Sequence, residues 1–172
     1  MLQFNQMPEK KKPIVLVVED EIMLSKKIAQ LVESLNLYQA ICAYNGEEAL
    51  EKVHKHQHFF GYAQSDIACI LLDVQMPKMN GLEFLKILRQ QESLHTFNRF
   101  IPVVLLTAYE DRDKWWNAAH PQAGMAAEYL IKPFDRKDLE EILHRIVFEK
   151  DVQTLIEITQ EKKNVRWDEL QE

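Results

Sequence analysis

Side chains that can do chemistry follow several apolar runs of the sequence. Glu19 and Asp20 follow the run VLVV, Asp73 follows ILL, Thr107 follows VVLL and Lys132 follows LI. If these runs are parallel strands, their carboxyl ends form one edge of an open sheet, and the ligand crevice lies where the strand order reverses. In a sheet of order 2-1-3-4-5, that point lies between the first and third strands. The pattern therefore predicts that Glu19, Asp20 and Asp73 meet there.

Three carboxylates in one crevice repel each other, so either protons or a cation must compensate their charge. Oxygen ligands suit a hard divalent ion, and Mg²⁺ is the common choice where phosphate chemistry is done. Lys132 adds a positive charge and Thr107 adds a hydroxyl donor. A carboxylate nucleophile, a metal ion, an ammonium and a hydroxyl together predict a site for phosphoryl transfer, in which Asp73 attacks in line.

The elements that must position these residues alternate between strand and helix patterns. Short apolar runs predict strands of a parallel sheet, at Pro13–Val18, Tyr38–Ala43, Ile67–Leu72, Ile101–Leu106 and Glu128–Ile131. Apolar residues at helical spacing predict helices over residues 22–35, Glu47–His58, Leu82–Gln91 and residues 111–120. A last helix, N-capped by Asp135 with Asp138 at its third position, is expected to run to about Phe148. This alternation predicts an α/β fold, a doubly wound five-stranded parallel sheet with helices on both faces.

Composition limits the class of protein. The chain has 172 residues, which is enough for one α/β domain with a short appendage. Its net charge of −6 argues against direct nucleic-acid binding, because affinity for phosphate backbones needs a basic surface. No apolar run is long enough to span a membrane, and residues 1–12 lack the apolar core of a signal peptide. A cytoplasmic location without membrane contact is therefore expected.

Four segments of the sequence resemble the response-regulator receiver domain of two-component signalling. They are VLVVEDE at residues 15–21, LLDVQMPKMNG at 71–81, VVLLTAY at 103–109 and YLIKPF at 129–134. Each stands at the end of a predicted strand, and the resemblance extends from about Lys12 to about Glu149. It implies a flavodoxin-like fold with the strand order 2-1-3-4-5, similar to that of a chemotaxis regulator.

The resemblance also implies a metal site with a role for each acidic residue. Asp73 corresponds to the phosphoacceptor and a metal ligand, and Asp20 corresponds to the direct Mg²⁺ ligand. Glu19 corresponds to the acidic partner that usually acts through water. The backbone carbonyl of Gln75 would supply a further ligand.

The remaining site residues correspond to phosphoryl-binding and switch positions of the family. Thr107 and Lys132 match the two residues that bind the phosphoryl oxygens. Tyr129 matches an aromatic switch that turns inward when Thr107 moves. The family usually has a cis peptide bond after this lysine, so the resemblance implies one between Lys132 and Pro133.

The chain divides into three expected parts. Residues 1–12 are polar and predict a flexible arm, residues 13–149 the receiver domain, and residues 150–172 a helical extension. An apolar stripe at helical spacing in the extension leaves two roles open: packing back on the domain, or pairing with a partner or in a homodimer. Compared with the family, the chain has expanded segments around residues 59–66, 95–99 and 120–124.

These features predict a signalling switch, not an enzyme. Asp73 is expected to accept a phosphoryl group from a histidine kinase or a phosphotransfer protein and to change binding to an unidentified downstream protein. The alternative is the N-terminal input half of a longer regulator, whose output domain lies beyond this sequence. An aspartyl-phosphate phosphatase is disfavoured, because the Asp-x-Asp pattern expected after the first strand is absent. A docking module that is never phosphorylated is disfavoured by the intact acidic cluster.

Overall fold

A computed structural model of the chain describes residues 11–57, 65–93, 100–108 and 126–149. The elements, in chain order, are β1 (Ile14–Val18), α1 (Ile22–Ser34), β2 (Gln39–Ala43), α2 (Gly46–Lys55), β3 (Ile67–Asp73), α3 (Gly81–Ser93), β4 (Val103–Ala108), β5 (Glu128–Lys132) and α4 (Arg136–His144), which continues into a π-helical turn at Arg145–Glu149. Several predicted features lie outside the described residues. They are residues 1–10 of the arm, the helix over 111–120, the extension 150–172 and most of the expanded segments.

The strands form one parallel five-stranded sheet in the order β2-β1-β3-β4-β5, which confirms the predicted fold class. Every residue of β1 is buried, as the continuous apolar run predicted. The register pairs Val18 of β1 with Leu72 of β3, and Asp73 with Leu106 of β4. The carboxyl ends of the three central strands are therefore level with one another at one edge of the sheet.

Side chains alternate between the two faces of the sheet and form two hydrophobic cores. One core places Leu16 and Val18 of β1 under α2 and α3. The other places Val15 and Val17 under α1 and α4. Each fully buried Leu, Val or Ile contributes roughly 1.5–3 kcal/mol relative to an exposed one, so the two cores together hold the strand ends in a fixed relation.

Helix ends are set by local hydrogen bonds. The predicted N-cap at Asp135 is confirmed, since its side chain accepts from the Asp138 amide and the Asp138 side chain accepts from the Asp135 amide. Asn45 caps α2 in the same way by accepting from the Glu48 amide at 2.9 Å. Strand β4 begins at Val103 instead of Ile101, because Pro102 has no N–H to donate to the sheet. None of the described helices combines the length and apolar character needed to cross a membrane.

Candidate functional site

The three predicted carboxylates meet at the carboxyl edge of the sheet. Glu19 and Asp20 directly follow β1, and Asp73 is the last residue of β3. One carboxylate oxygen from each of the three lies within 4.8 Å of the others. Glu19 and Asp73 are buried, whereas Asp20 is exposed. The strand order alone brings residues more than 50 positions apart into one crevice, as the sequence predicted.

Lys132 reaches this crevice from the edge strand. Its Nζ lies 2.6 Å from Glu19 Oε2 and 3.2 Å from Asp73 Oδ1. Strand β5 is separated from β3 by β4, about 10 Å across the sheet, so only a long side chain can span the gap. Its register partner at the end of β4 is the small, exposed residue Ala108. The described cluster therefore combines three carboxylates with one ammonium and retains an excess of negative charge.

The electrostatics of Glu19 reflect this crowding. Burial raises the pKa of the Glu19 carboxyl above its ordinary value, and the charge of Asp73 acts in the same direction. The hydrogen bond and the charge of Lys132 oppose that rise without cancelling it. A further cation in the crevice would favour the charged form of Glu19.

The donor set fits a hard divalent cation. Carboxylate oxygens are the ligands that Mg²⁺ prefers, and three of them already converge in the crevice without any rearrangement of strands. Gln75 follows on the loop after β3, and its backbone N–H donates to Asp73 Oδ1 at 3.3 Å. That hydrogen bond holds the first residues of the loop beside the cluster.

Thr107 and Tyr129 lie on neighbouring strands beside the crevice. Thr107 is buried near the end of β4, and its hydroxyl donates to the Ala108 carbonyl at 3.0 Å. Tyr129 on β5 is half-buried and packs against the core under α2 and α3. Thr107 pairs with Ile131, two positions along β5 from Tyr129, so both side chains lie on the same face of the sheet.

The loop after β3 contains a feature that the sequence reasoning missed. A Cβ on Gly81 would lie well under 3.0 Å from the backbone carbonyl oxygen of Asp73, and the Gly81 amide donates to the Val74 carbonyl at 3.1 Å. Only glycine allows this approach, which anchors the start of α3 against the end of β3. No sequence pattern indicates which backbone a glycine will touch.

The expected cis peptide bond between Lys132 and Pro133 is confirmed. The bond directly follows β5 and so lies at the same edge of the sheet as the acidic cluster and Lys132.

A family model described as the response regulator receiver domain matches residues 15–144 of the chain. The chain belongs to this family. The match runs from the second residue of β1 to the end of α4 and includes every residue of the acidic cluster. The resemblance drawn from the four sequence segments is therefore confirmed.

Curated relatives include longer regulators that carry a similar receiver. The chain is 33% identical over 131 residues to the transcriptional regulatory protein CrdR of Helicobacter pylori, with 76% of the chain matched to 53% of that protein. It is 33% identical over 136 residues to the response regulator ArlR of Staphylococcus aureus, with 77% matched to 50%. The chain thus spans about half the length of these relatives.

Solved receiver structures share the fold over nearly their whole length. A putative response regulator from Chloroflexus aurantiacus has a TM-score of 0.63 at 26% identity, with 80% of this chain covering 98% of that one. The receiver domain of the sensor histidine kinase PA1611 from Pseudomonas aeruginosa has a TM-score of 0.62 at 26% identity, with 79% and 98% covered. The latter is described with a magnesium ion coordinated in its active-site cleft.

Proposed function

We propose that this receiver is the phosphoacceptor module of a two-component or phosphorelay system. Asp73 would take a phosphoryl group from a phosphohistidine of a histidine kinase or a phosphotransfer protein. The single observation that carries this proposal is the position of Asp73: its carboxylate lies in a crevice with two further carboxylates and 3.2 Å from the Lys132 ammonium.

The chemistry is a transfer between two covalent carriers. An oxygen of the Asp73 carboxylate attacks the phosphorus in line, and the phosphorus–nitrogen bond to the donor imidazole breaks with its electron pair returning to nitrogen. The product is an acyl phosphate on Asp73. The Lys132 ammonium and the Thr107 hydroxyl would each donate a hydrogen bond to the phosphoryl oxygens, whose negative charge would otherwise be repelled by the crevice.

Mg²⁺ would be held by Asp73, Asp20, Glu19 and the backbone carbonyl of Gln75. Asp20 would bind the ion directly, and Glu19 would act through water. When bound, the ion supplies positive charge that offsets both the carboxylates and the incoming phosphoryl group. The magnesium ion described for the PA1611 receiver supports this choice of metal. Asp20 is exposed, so an ion bound to it would be able to exchange its other ligands with water.

Phosphorylation would act as a switch through Thr107 and Tyr129. Movement of the Thr107 hydroxyl toward the phosphoryl oxygens would vacate space on the face of the sheet that it shares with Tyr129. Tyr129 would then turn inward and alter a surface that binds a downstream protein, as a shift between two existing arrangements.

A second candidate is the input half of a longer regulator. It is favoured by CrdR and ArlR, which are about twice as long as the part that this chain matches. Both candidates share the same phosphoacceptor chemistry. They differ in whether the altered surface binds another protein or an output domain of the same chain.

The test is phosphorylation by a small-molecule donor. Incubation with phosphoramidate or acetyl phosphate and Mg²⁺ is expected to add one phosphate by intact mass, and Asp73→Asn to abolish the addition. Asp66→Asn is the matched control, because Asp66 precedes the opposite end of the same strand and pairs with Lys11 at 2.6 Å; it should be phosphorylated like the wild type. Equal phosphorylation of the Asp73→Asn protein would contradict the proposal.

A further inference from the structure

A methionine on the loop after β3 packs onto a glycine at the start of α2. The position that a Cβ of Gly46 would occupy lies 2.6 Å from Met79 Cγ, 2.6 Å from Met79 Sδ and 3.0 Å from Met79 Cβ. Gly46 is buried, and the Met79 side chain packs against the core under α2 and α3. Two of these three atoms are the first two of the methionine side chain, so a methyl group at Gly46 could not be accommodated by moving the side-chain end alone.

The loop that carries Met79 is fixed at each end. At its start, the Gln75 amide donates to Asp73 Oδ1; at its finish, Gly81 lies against the Asp73 carbonyl. Between these points Lys78 has a φ of 67°, a left-handed conformation that non-glycine residues adopt rarely and only when neighbouring contacts hold them there. The packing of Met79 on Gly46 supplies such a contact immediately after Lys78.

The partner side of the contact is also rigid. Asn45 caps α2 by accepting from the Glu48 amide at 2.9 Å, and the Glu48 carboxylate accepts from the Tyr44 amide at 2.9 Å. The first turn of α2 is therefore held against the end of β2. A side chain that packs on Gly46 is therefore fixed relative to the carboxyl edge of the sheet, where the acidic cluster lies.

We infer that Met79 and Gly46 form a positioning pair that holds the β3–α3 loop, and with it the Gln75 backbone, in register with Asp73 for metal binding. The inference rests on the proposed function, since it concerns the same crevice. Neither residue touches the reacting atoms. The pair acts through the loop, in the way that residues behind metal ligands generally orient those ligands.

Gly46→Ala is expected to weaken Mg²⁺ affinity about tenfold by calorimetry, the lower end of the effect usual for residues that support metal ligands. In metal-free protein it should also shift the Gln75 amide resonance, since that amide donates to Asp73. The double variant Gly46→Ala with Met79→Ala is expected to bind Mg²⁺ more tightly than Gly46→Ala alone, because removing the methionine side chain makes room for the new methyl group.

Val53→Ala is the matched control on the same helix. Val53 is buried two turns further along α2, so its truncation should lower the melting temperature and leave both the Mg²⁺ affinity and the Gln75 resonance unchanged. If Gly46→Ala does not fold, Met79→Ala and Met79→Leu replace it. The alanine variant should weaken Mg²⁺ binding, and the leucine variant should stay close to the wild type.

Three results would each overturn the positioning role of Met79 and Gly46. They are wild-type Mg²⁺ affinity in Gly46→Ala, no gain of affinity in the double variant over Gly46→Ala, and wild-type Mg²⁺ affinity in Met79→Ala. Failure of the proposed function gives a different result, because wild-type protein would then show neither Mg²⁺ binding nor phosphorylation at Asp73.

Discussion

The Lys132 ammonium lies 2.6 Å from the Glu19 carboxylate, although the two residues are 113 positions apart. Glu19 directly follows β1, and Lys132 ends β5, which is separated from β1 by two other strands. Glu19 is almost fully buried, and Lys132 is largely buried with it. Among the described residues, Lys132 supplies a positive charge in contact with two members of the acidic cluster, Glu19 and Asp73. Its charge therefore stabilises the two buried carboxylates that it contacts, and a divalent ion would take over part of that role.

Removal of Lys132 should make stability depend on Mg²⁺. Lys132→Ala leaves the buried Glu19 carboxylate without its counter-ion, so the free energy of unfolding in the absence of metal should fall by about 1–3 kcal/mol. Mg²⁺ should restore more stability to this variant than to the wild type, because the ion no longer competes with the ammonium. Urea unfolding with and without Mg²⁺ measures both effects.

Lys52→Ala is the control for this prediction. Lys52 pairs with Glu48 at 2.6 Å on α2, away from the crevice, and both side chains are 30% exposed. Loss of Lys52 should lower the free energy of unfolding by less than loss of Lys132 does. The stability of the Lys52→Ala protein should respond to Mg²⁺ as that of the wild type does. A Lys132→Ala protein stabilised by Mg²⁺ no more than the wild type would show that the ammonium does not balance the metal site.

Asp20 should matter for metal binding and not for folding. Asp20→Asn removes a charge from the cluster, so Mg²⁺ affinity should fall at least about tenfold, while the melting temperature of the metal-free protein stays equal or rises as repulsion is relieved. Calorimetry and thermal unfolding report the two quantities. The neighbouring exposed Glu21 lies outside the cluster, and Glu21→Gln should leave both unchanged. Wild-type affinity in Asp20→Asn would place the metal elsewhere.

The sheet was predictable because its central strands are continuous apolar runs. Burial on both faces requires such runs, and alternation with helical patterns leaves few parallel topologies. The element ends were less predictable, since they depend on individual hydrogen bonds. Helix α2 begins at Gly46 and not Glu47 because the Asn45 cap fixes its first turn, and it ends at Lys55 before the predicted His58.

The site was predictable to the extent that strand ends determine it. Glu19, Asp20 and Asp73 had to meet once the strand order was known. The contacts that support them were not predictable, because they depend on packing between loops distant in sequence. Nothing in the sequence spacing indicated that the Met79 side chain would pack onto Gly46.

Glu92 is a second feature that sequence patterns did not reveal, and it makes stability pH-dependent. It is buried at the end of α3, where it pairs with Arg89 and accepts from the Ile101 amide at 2.8 Å. Burial raises the pKa of its carboxyl above the ordinary value, against the opposing effects of Arg89 and the Ile101 amide.

Between the ordinary and the raised pKa, the folded protein binds more protons at Glu92 than the unfolded protein does. The Glu92 contribution to stability is therefore full below the ordinary pKa and is lost as pH rises through the raised one. Glu92→Gln cannot titrate, so the unfolding free energy of the wild type minus that of the variant should decrease from about pH 4.5 upward. Urea titrations over this range measure the difference, and a constant or increasing value would rule out a raised pKa.

Signal transmission should depend on Thr107 and Tyr129 together. Beryllofluoride, a phosphoryl mimic, should change partner affinity in the wild type by about 5–150-fold, the usual range of coupling between two sites. Thr107→Ala and Tyr129→Ala should each reduce that change, while Thr107→Ala still accepts phosphate at Asp73. Partner affinity with and without the mimic gives the coupling. Full responses in both variants would place the route of the signal elsewhere in the domain.

Chemical trapping of the phosphorylated residue tests the central claim most directly. Borohydride reduces an acyl phosphate to an alcohol, so a phosphorylated aspartate becomes homoserine. The tryptic peptide over residues 56–78 carries both Asp66 and Asp73, which makes Asp66 an internal comparison. After phosphoramidate, Mg²⁺ and borohydride, fragmentation of this peptide should place homoserine at Asp73 and leave Asp66 intact. Homoserine at Asp66, or at Asp20 in its own tryptic peptide, would contradict the assignment of Asp73 as the phosphoacceptor. An unreduced Asp73 in protein that has gained a phosphate would contradict it as well.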